Sequence, residues 1–560
     1  MSSPYARGER PIGAATHTVE NQPPWRVDVD EYTSNAPLTA AVRSFGAAWA
    51  EECLRNAGQV VGTAAFQRDA HLANVHTPTA MTHDRWGFRL DEVEYDPSYH
   101  RVIGEAIARG AHTSAWADPR PGAHVARAAM FMLFAQVEPG HACPVSMTHA
   151  AVASIAGSPW IADDWLPRMY SRGYDPRLLV PGGKTSALIG MAMTEKQGGS
   201  DVRAGTTVGE SMGGHAYQIT GHKWFCSAPM SDAFLVLAHT RRSGSDEGLS
   251  CLFVPRVLPH ETRNVFRIQR LKDKLGNRSN ASAEVEFDGT VGLLVGEAGR
   301  GVRTIIEMVQ RTRLDCVLGT AAGMRQSVAE AIWHARGREA FGAPLVDQPA
   351  MTAVLADLAL EYEAAMLTGL RLAQLFEAEA SDRDVALRRL ATPVSKYWVC
   401  KRGPHHAYEA LECLGGNGYT ESFPLARRYR EQPVMAIWEG SGNVIALDVL
   451  RALTRDRESG EAFADELRAT AGASAILDRH VARTLALLQR LSEGEPAHAA
   501  PQARRLTEDL ALALQASLML RHAPSVDAET FIAARLGDDR GAQYGVLPTG
   551  TDAASIVTRH

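Results

Sequence analysis

The chain has 560 residues, of which 45% are hydrophobic and 22% charged, and its formal net charge is −6. This length predicts several structural units, and the balance of charges excludes a general attraction to nucleic acid. Seven cysteines without a Cys-x-x-Cys pair favour reduced thiols in a cytoplasmic protein over disulfides or zinc. The longest apolar stretch, around residues 128–137, is too short to cross a membrane, and the N-terminus lacks the apolar segment of a signal peptide.

The periodicity of apolar residues changes twice along the chain. Residues 38–179 repeat at three- and four-residue spacing, which predicts helices. In residues 186–297 the period falls toward two, with glycine or asparagine between the runs, which predicts strands of an antiparallel barrel or sandwich. Helical periodicity resumes over residues 301–453, and a last helical segment ends near Leu536.

These changes predict an α+β protein with several domains. They are an N-terminal helical domain (1–185), a β-domain (186–297), a helical bundle (298–453) and a C-terminal helical extension (454–560). Helices and strands do not alternate, and no Gly-x-Gly-x-x-Gly follows a strand. A doubly wound nucleotide-binding fold is therefore not expected.

The most informative segment is MTEKQGGSD, at residues 193–201. It separates an apolar run from a β-branched segment, which predicts a strand–turn–strand unit with amides and small hydroxyls at its tip. Such a tip can hold a flat ring through the carbonyl oxygens of that ring. The alternative is a plain surface hairpin.

Five segments in a fixed order resemble the acyl-CoA dehydrogenase superfamily. They are MTEKQGGSD at 193–201, GHKWFCS at 221–227, REAFGAPL at 338–345, LGGNGY at 414–419 and WEGSGN at 438–443. HTVENQP at 17–23, LKDKLGNRSN at 271–280 and the valine after MTEKQGGSD are similar to the AidB-like subfamily of adaptive-response flavoproteins. The resemblance covers nearly the whole chain and becomes weaker after about Arg455.

This resemblance implies an FAD cofactor whose flavin ring lies between the β-domain and the second helical domain. It also implies a homotetramer, because in this family a neighbouring subunit supplies the glycine-rich loop. The residues at the family's FAD-binding positions are Met193, Thr194, Ser200, Phe225, Ser227, Arg338, Phe341, Leu345, Gln348, Gly416, Ser441 and Asn443. Ser227 is expected at flavin N5, and Arg338 at the pyrophosphate, which suits a bidentate donor. A solvated helix charge is the alternative for Arg338.

By the same resemblance Glu439 is the catalytic base, which removes the α-proton of an acyl thioester while a hydride leaves for FAD N5. A glutamate shielded by Trp438 is expected to have a raised pKa and to act as a base near neutral pH. The alternative is a capping or surface glutamate. Asp315 is expected to shape the substrate pocket. Arg313 takes a position where related enzymes hold the CoA arm with an aspartate, which predicts weak acyl-CoA turnover.

The AidB-like subfamily is associated with the response to DNA alkylation. Arg479, Arg483 and Arg490 share one helical face and are candidates to contact the phosphates of double-stranded DNA; a solvated face is the alternative. No third ligand accompanies His405 and His406, so no metal site is expected. Three hypotheses follow: a weak FAD-dependent acyl-CoA dehydrogenase-like oxidoreductase, a DNA-binding protective protein with a vestigial flavin site, or a purely structural oligomer.

Overall fold

The computed structural model describes residues 16–493 and 499–560, without the side chains of residues 492 and 493. The chain divides into two compact units. The first unit comprises residues 1–68, 120–137 and 313–560, and the second comprises residues 69–119 and 138–312. Within the described residues, no helix is both long and apolar enough to cross a bilayer.

Most of the described chain is helical, and the longer strands are concentrated between residues 189 and 295. The helices are α1 (Ala36–Ser44), α2 (Glu51–Gly62), α3 (Ala64–Val75), α4 (Pro97–Ala108), α5 (Ser114–Ala117), α6 (Ala123–Ala135), α7 (Ala142–Ile155), α8 (Pro159–Met169), α9 (Gly301–Gly337), α10 (Pro349–Gln374), α11 (Asp382–Glu412), α12 (Pro424–Met435), α13 (Gly442–Arg455), α14 (Arg457–Arg468), α15 (Ala475–Glu493), α16 (Ala503–His522), α17 (Ser525–Leu536) and α18 (Ala553–Thr558). The strands are β1 (Thr79–His83), β2 (Arg89–Glu94), β3 (Ile189–Ala192), β4 (Val208–Gly213), β5 (Ala216–Ser227), β6 (Ala233–Arg242), β7 (Ser245–Pro255), β8 (Val257–Leu258), β9 (Thr262–Arg263), β10 (Arg267–Leu271), β11 (Ser282–Val295), β12 (Glu339–Ala340) and β13 (Ala343–Pro344).

A seven-stranded sheet forms the centre of the second unit. Its order is β10-β11-β5-β4-β6-β3, and β7 pairs with both β11 and β6. Most pairs are antiparallel, as predicted, but β3 and β4 both run parallel to β6. β3 and β4 therefore follow one another along the same edge of β6 and do not pair with each other. Between them Glu195 and Gly198 form an isolated antiparallel bridge, so the glycine turn of residues 193–201 is local and is not the tip of a β3–β4 hairpin.

The hairpin of β1 and β2 lies in a region predicted to be helical. Its turn is built by Asp84, whose carboxylate accepts hydrogen bonds from the amides of Trp86 and Phe88, both at 2.9 Å. Gly87 adopts a φ of +87°, which a residue with a side chain rarely adopts. These local bonds favour a turn over a helix here.

Close packing of α9, α11 and α12 positions the end of α12 in the first unit. A Cβ atom at Gly323 on α9 or at Gly403 on α11 would overlap the side-chain amide of Gln432 on α12. Glycine at these two positions therefore leaves room for the Gln432 side chain between the helices. Met435, the last residue of α12, packs against Cys316 of α9 and Cys400 of α11, close to the loop that carries Glu439.

Glu466 of the C-terminal extension pairs with one arginine of the bundle and with one arginine of the extension itself. Arg371 on α10 and Arg521 on α16 contact Glu466 on α14 at 2.9 Å and 2.6 Å. Burial raises the pKa of Glu466, but the two guanidinium groups outweigh it and lower this pKa to about 2.

We expect Glu466→Gln to destabilise the protein by about 3 kcal/mol at pH 7. The reference glutamate pKa is 4.5 and the folded value is about 2, and this difference stabilises the ionised folded state. The stabilisation is complete above about pH 5 and is lost as the pH falls through about 2. Urea unfolding at several pH values should show the two proteins converging at acid pH. Glu458→Gln, an exposed glutamate of the same helix, is the matched control, and an equal loss in both variants would contradict the assignment.

Candidate active site

Glu439 lies between α12 and α13 in a backbone conformation that is rare for residues other than glycine. Its φ is +59°, and that of the following Gly440 is +108°. The left-handed conformation costs about 1–2 kcal/mol for a residue with a side chain. It persists only where the surroundings hold it.

Two buried cations hold this loop. The Nε of Arg313 donates to the carbonyl oxygen of Glu439 at 3.0 Å, and the Nζ of Lys396 donates to that of Gly440 at 2.6 Å. Arg313 is itself anchored by Asp448 at 2.8 Å. Burial raises the pKa of Asp448, but Arg313 and Arg389 outweigh it and lower this pKa. Arg313 was predicted to face the substrate. In the structure its hydrogen bonds position the loop that carries the candidate base, Glu439.

Trp438 packs beside this loop against Cys316, Cys400 and Met435. Its indole Nε1 is buried and has no acceptor among the described residues. A buried indole N–H usually has a hydrogen-bond partner. An acceptor from outside this chain fits that position.

Asp315 forms a buried ion pair with Arg127 of α6. The side chains are each 1% exposed, and Nη2 of Arg127 lies 3.0 Å from Oδ2 of Asp315. Asp315 is therefore engaged by an arginine and is not a free second acid. Arg127 was not among the predicted site residues. Its signal was an arginine inside an otherwise apolar helix, because an arginine is almost never fully buried unless it is paired.

The N-terminal segment 17–23 contacts the predicted pyrophosphate residue. Nη1 of Arg338 donates to the carbonyl oxygen of Asn21 at 2.6 Å. The Asn21 side chain accepts from the amide of Glu339 and donates to the Glu339 carbonyl oxygen, at 2.7 Å and 2.8 Å. This clamp orients the start of the β12–β13 hairpin and leaves other N–H groups of the guanidinium for a ligand.

Three further predicted FAD residues of the first unit have features that the chain itself does not explain. Phe341 is 99% exposed at the tip of the β12–β13 turn, with a φ of +54°. A Cβ at Gly416 would meet no atom within 4 Å. Ser441 occupies the N-cap position of α13, yet its hydroxyl makes no capping bond. All three groups are accessible to a molecule outside the described chain.

The remaining predicted FAD residues of the first unit lie close to these. Asn443 is exposed in the first turn of α13. Leu345 and Gln348 are half-buried just after β13. The side-chain amide of Gln348 donates to the carbonyl oxygen of Ala340 at 3.0 Å, which braces the hairpin.

In the second unit, Glu195 organises the glycine-rich segment, although no role was predicted for it. This buried carboxylate accepts from Nζ of Lys223 at 2.8 Å, and from the amides and hydroxyls of Thr206 and Thr207 at 2.7–3.2 Å. Burial raises the pKa of Glu195, but these partners outweigh it and lower the pKa well below its usual range. Hydrogen bonds to this single carboxylate thus hold the loop between β3 and β4 together, directly beside Thr194.

The predicted flavin-contacting residues of the second unit lie around this loop and on β5. The carbonyl oxygen of Thr194 accepts from the amide of Trp224 at 2.8 Å. Phe225 is 48% exposed, and the Ser227 hydroxyl lies 3.1 Å from that of Ser282. Met193 is half-buried and Ser200 is exposed. The exposed phenyl ring and the small hydroxyls can accept a ring from outside.

A small cavity follows the end of β5. It has a volume of about 330 Å³ and its lining includes Ala228, Met230, Tyr95, Tyr99 and Tyr174. Burial raises the pKa of all three tyrosines, so they stay neutral. The cavity is at the small end of the range for ligand sites.

Three family profiles match consecutive parts of the chain. They are the adaptive response protein AidB N-terminal domain (residues 21–176), the acyl-CoA dehydrogenase middle domain (190–290) and the acyl-CoA dehydrogenase C-terminal domain (299–454). AidB of Escherichia coli strain K12 is 43% identical over 528 residues, which are 94% of this chain and 95% of that protein. The chain belongs to the AidB-like branch of the acyl-CoA dehydrogenase superfamily. The family makes it an oxidoreductase with FAD as its cofactor.

Solved structures confirm the acyl-CoA dehydrogenase fold class. Caenorhabditis elegans ACDH-11, in complex with C11-CoA, has a TM-score of 0.86 at 24% identity and covers 96% of each chain. The apo-form of Bd2924 has a TM-score of 0.81 at 26% identity, over 91% of this chain and 100% of that one. An acyl-CoA dehydrogenase from Bacillus anthracis complexed with FAD has a TM-score of 0.61 at 18% identity, over 78% and 77% of the two chains.

Proposed function

We propose that this AidB-like protein oxidises an acyl thioester or a related carbonyl compound, with Glu439 as the base that removes the α-proton. The Glu439 loop carries this proposal, because strained backbone held by its surroundings is concentrated at active sites. Arg313 and Lys396 orient the loop and do not take the proton themselves. When bound, FAD accepts the hydride that leaves the β-carbon.

The residues present fit this cofactor. The buried Nε1 of Trp438 has no acceptor among the described residues, and Phe341 and Gly416 are open to a partner molecule. We propose that Arg338 binds the pyrophosphate and that Ser441 and Asn443, at the start of α13, also contact FAD. Met193, Thr194, Ser200, Phe225 and Ser227 are proposed as ring-side contacts. Leu345 and Gln348 are proposed to lie along the adenosine half.

Anaerobic mixing of the FAD-loaded protein with acyl-CoA thioesters of increasing chain length tests this function. We expect at least one of them to bleach the oxidised flavin band. Arg313 takes the position at which related enzymes hold the CoA arm with an aspartate, so we expect slow reduction of the flavin. A yellow protein that no member of the panel reduces would contradict the proposal, and so would a protein that takes up no FAD.

The hydrogen bond from Lys396 to the Glu439 loop gives a second prediction. Lys396→Met should slow flavin reduction by about 10²-fold, the cost of displacing a reacting group by about 1 Å, while FAD remains bound. Stopped-flow absorbance gives the rate, and the flavin spectrum gives the cofactor content. Arg383→Met, an exposed position of the same helix, is the matched control. A rate for Lys396→Met equal to that of the control would contradict a positioning role.

A second candidate function is association with double-stranded DNA in the response to alkylation damage. Arg483 and Arg490 on α15 are exposed, and no described carboxylate lies within 4 Å of either. Free guanidinium groups can contact phosphates and release counterions. The test is duplex binding measured against salt concentration, with Arg479, Arg483 and Arg490 all replaced by glutamine. Binding that is insensitive to salt or to the triple variant would contradict it.

Two further expectations belong with this proposal. We propose that the protein is a homotetramer in the cytoplasm, as the family resemblance implies. The fully exposed Phe341 supports a contact with another molecule. The division of the chain at residues 185, 297 and 453 also remains a prediction. Sedimentation of the FAD-loaded protein measures the number of subunits.

A further inference from the structure

A cavity of about 790 Å³ lies in the first unit, lined by residues of α11, α15, α16 and α17 and of the segment after α17. We call it the arginine cavity. Its six arginines are Arg402, Arg483, Arg490, Arg505, Arg535 and Arg540. None of these residues belongs to the candidate active site around Glu439.

Two of the six guanidinium groups are neutralised inside the fold. Arg402 and Arg535 contact Glu361 at 3.0 Å and 2.9 Å, and Arg535 also pairs with Asp357. Burial raises the pKa of Glu361, but the charges of these two arginines outweigh it and lower the pKa to about 2. Arg402 and Arg535 are therefore held in place by these ion pairs and form part of the cavity lining.

Of the other four arginines, only Arg505 has a described carboxylate within 4 Å. Arg505 lies 3.8 Å from Asp509, while Arg540 donates to the carbonyl oxygen of Gly537 at 3.3 Å. No described carboxylate lies within 4 Å of Arg483, Arg490 or Arg540. Like charges gathered around one cavity raise the local potential, and that potential favours an anion.

The lining holds two carboxyl groups, those of Glu508 and Asp509, against its six arginines. His480 contacts the carbonyl oxygen of Asp509 through Nε2 at 2.8 Å. Burial lowers the pKa of His480, and the charges of Arg483 and Arg540 act in the same direction. Burial raises the pKa of Glu508, the second carboxyl group of the lining. The cavity thus keeps an excess of positive charge.

One side of the cavity is apolar. Leu487, Leu512, Leu536 and the indole of Trp398 contribute to the lining. The Nε1 of Trp398 is buried and has no acceptor among the described residues. The cavity therefore combines guanidinium groups, which bind phosphate bidentately, with an apolar wall that suits a ring.

We propose that the arginine cavity binds a small organic phosphate, a molecule that joins two or more phosphate charges to a flat or apolar group. A nucleoside diphosphate and the phosphorylated adenosine part of CoA share this chemistry. The volume lies within the range of small-molecule sites. A DNA duplex is too wide to enter a cavity of this volume. The site is independent of the proposed oxidation, because it needs neither FAD nor Glu439.

Calorimetric titration of the full FAD-saturated chain with ADP tests the proposal, with CoA and inorganic pyrophosphate as further probes. We expect one ADP per chain, bound more tightly than pyrophosphate. Arg483→Gln and Arg490→Gln should each weaken binding at least tenfold, the loss of about one charge-assisted hydrogen bond. CoA, which the proposed oxidation site can also take, should lose in the variants only the binding that depends on the arginine cavity. The unchanged flavin spectrum shows that the variants are folded.

Two comparison variants decide between a built pocket and a diffuse charged face. Arg479 is exposed on the same helix but does not line the cavity, and Arg468 is exposed on α14. Arg479→Gln and Arg468→Gln should leave ADP binding within twofold. An equal loss in Arg479→Gln and Arg483→Gln would overturn the proposal, as would binding of duplex DNA with no binding of ADP or CoA. Flavin reduction by acyl-CoA is measured separately, so that failure of one proposal is distinguished from failure of the other.

Discussion

Replacing Glu439 with glutamine is expected to slow anaerobic reduction of the flavin by an acyl-CoA by roughly 10²–10⁴-fold, the contribution of a positioned general base. Glutamine keeps the size of the side chain but cannot accept the α-proton. The backbone bonds from Arg313 and Lys396 to the loop do not involve the carboxylate, so the loop should stay in place. Stopped-flow absorbance of the flavin band measures the rate.

The control for this experiment is Glu421→Gln, an exposed glutamate in the segment before α12. It should reduce at the rate of the unmodified protein. Both variants should retain FAD in full, because neither residue is a proposed cofactor contact. If Glu439→Gln reduced as fast as the control, another group would have to be the base.

Replacing Arg127 with methionine should give the largest loss of stability. The change leaves Asp315 buried without its partner, which costs about 3–5 kcal/mol. Methionine occupies a similar apolar volume beside Phe131, whose ring lies 4.7 Å from the guanidinium carbon. Chemical denaturation followed by circular dichroism measures the free energy of unfolding.

A double variant separates the ion pair from the packing around it. Arg127→Met with Asp315→Leu removes both charges, and replacing a buried pair by apolar residues is often neutral or stabilising. We therefore expect the double variant to recover most of the loss. A double variant less stable than Arg127→Met alone would show that Asp315 has other essential partners.

The sequence predicts the fold where local patterns determine it. Helical periodicity identifies the segments of α9 to α13, and alternation identifies the cores of β5, β6, β7 and β11. Prediction from the sequence fails where the structure depends on contacts between residues that are distant in sequence. The direction of β3 and β4 is set by their pairing with β6, and a strand's own residues do not reveal whether its neighbour is parallel. The β1–β2 hairpin was missed because its decisive signal is the turn built by the hydrogen bonds of Asp84. Periodicity of apolar residues does not detect such a turn.

In the candidate site, too, the sequence predicts local features and misses contacts between distant residues. The order of short segments is enough to propose Glu439 and Arg338 as site residues, because each segment carries its own candidate. The partners of those residues are not in the segments. Arg127 is 188 residues from Asp315, and Lys396 belongs to a different helix from the loop that it holds. Only packing brings such pairs together.

The arginines of α15 illustrate the limit of a helical face. Their spacing correctly places Arg479, Arg483 and Arg490 on one helix. Spacing does not tell which of them meets other elements. Arg483 and Arg490 line a cavity together with Arg402 of α11 and Arg535 of α17, whereas Arg479 does not.

The most direct test of Glu439 as the base is exchange of the α-hydrogens of a bound acyl-CoA with solvent D₂O, followed by mass spectrometry. Proton removal is then observed without reference to the later hydride step. We predict deuterium at the α-carbon with the unmodified protein and none above background with Glu439→Gln. Equal deuterium incorporation by the two proteins would contradict the account.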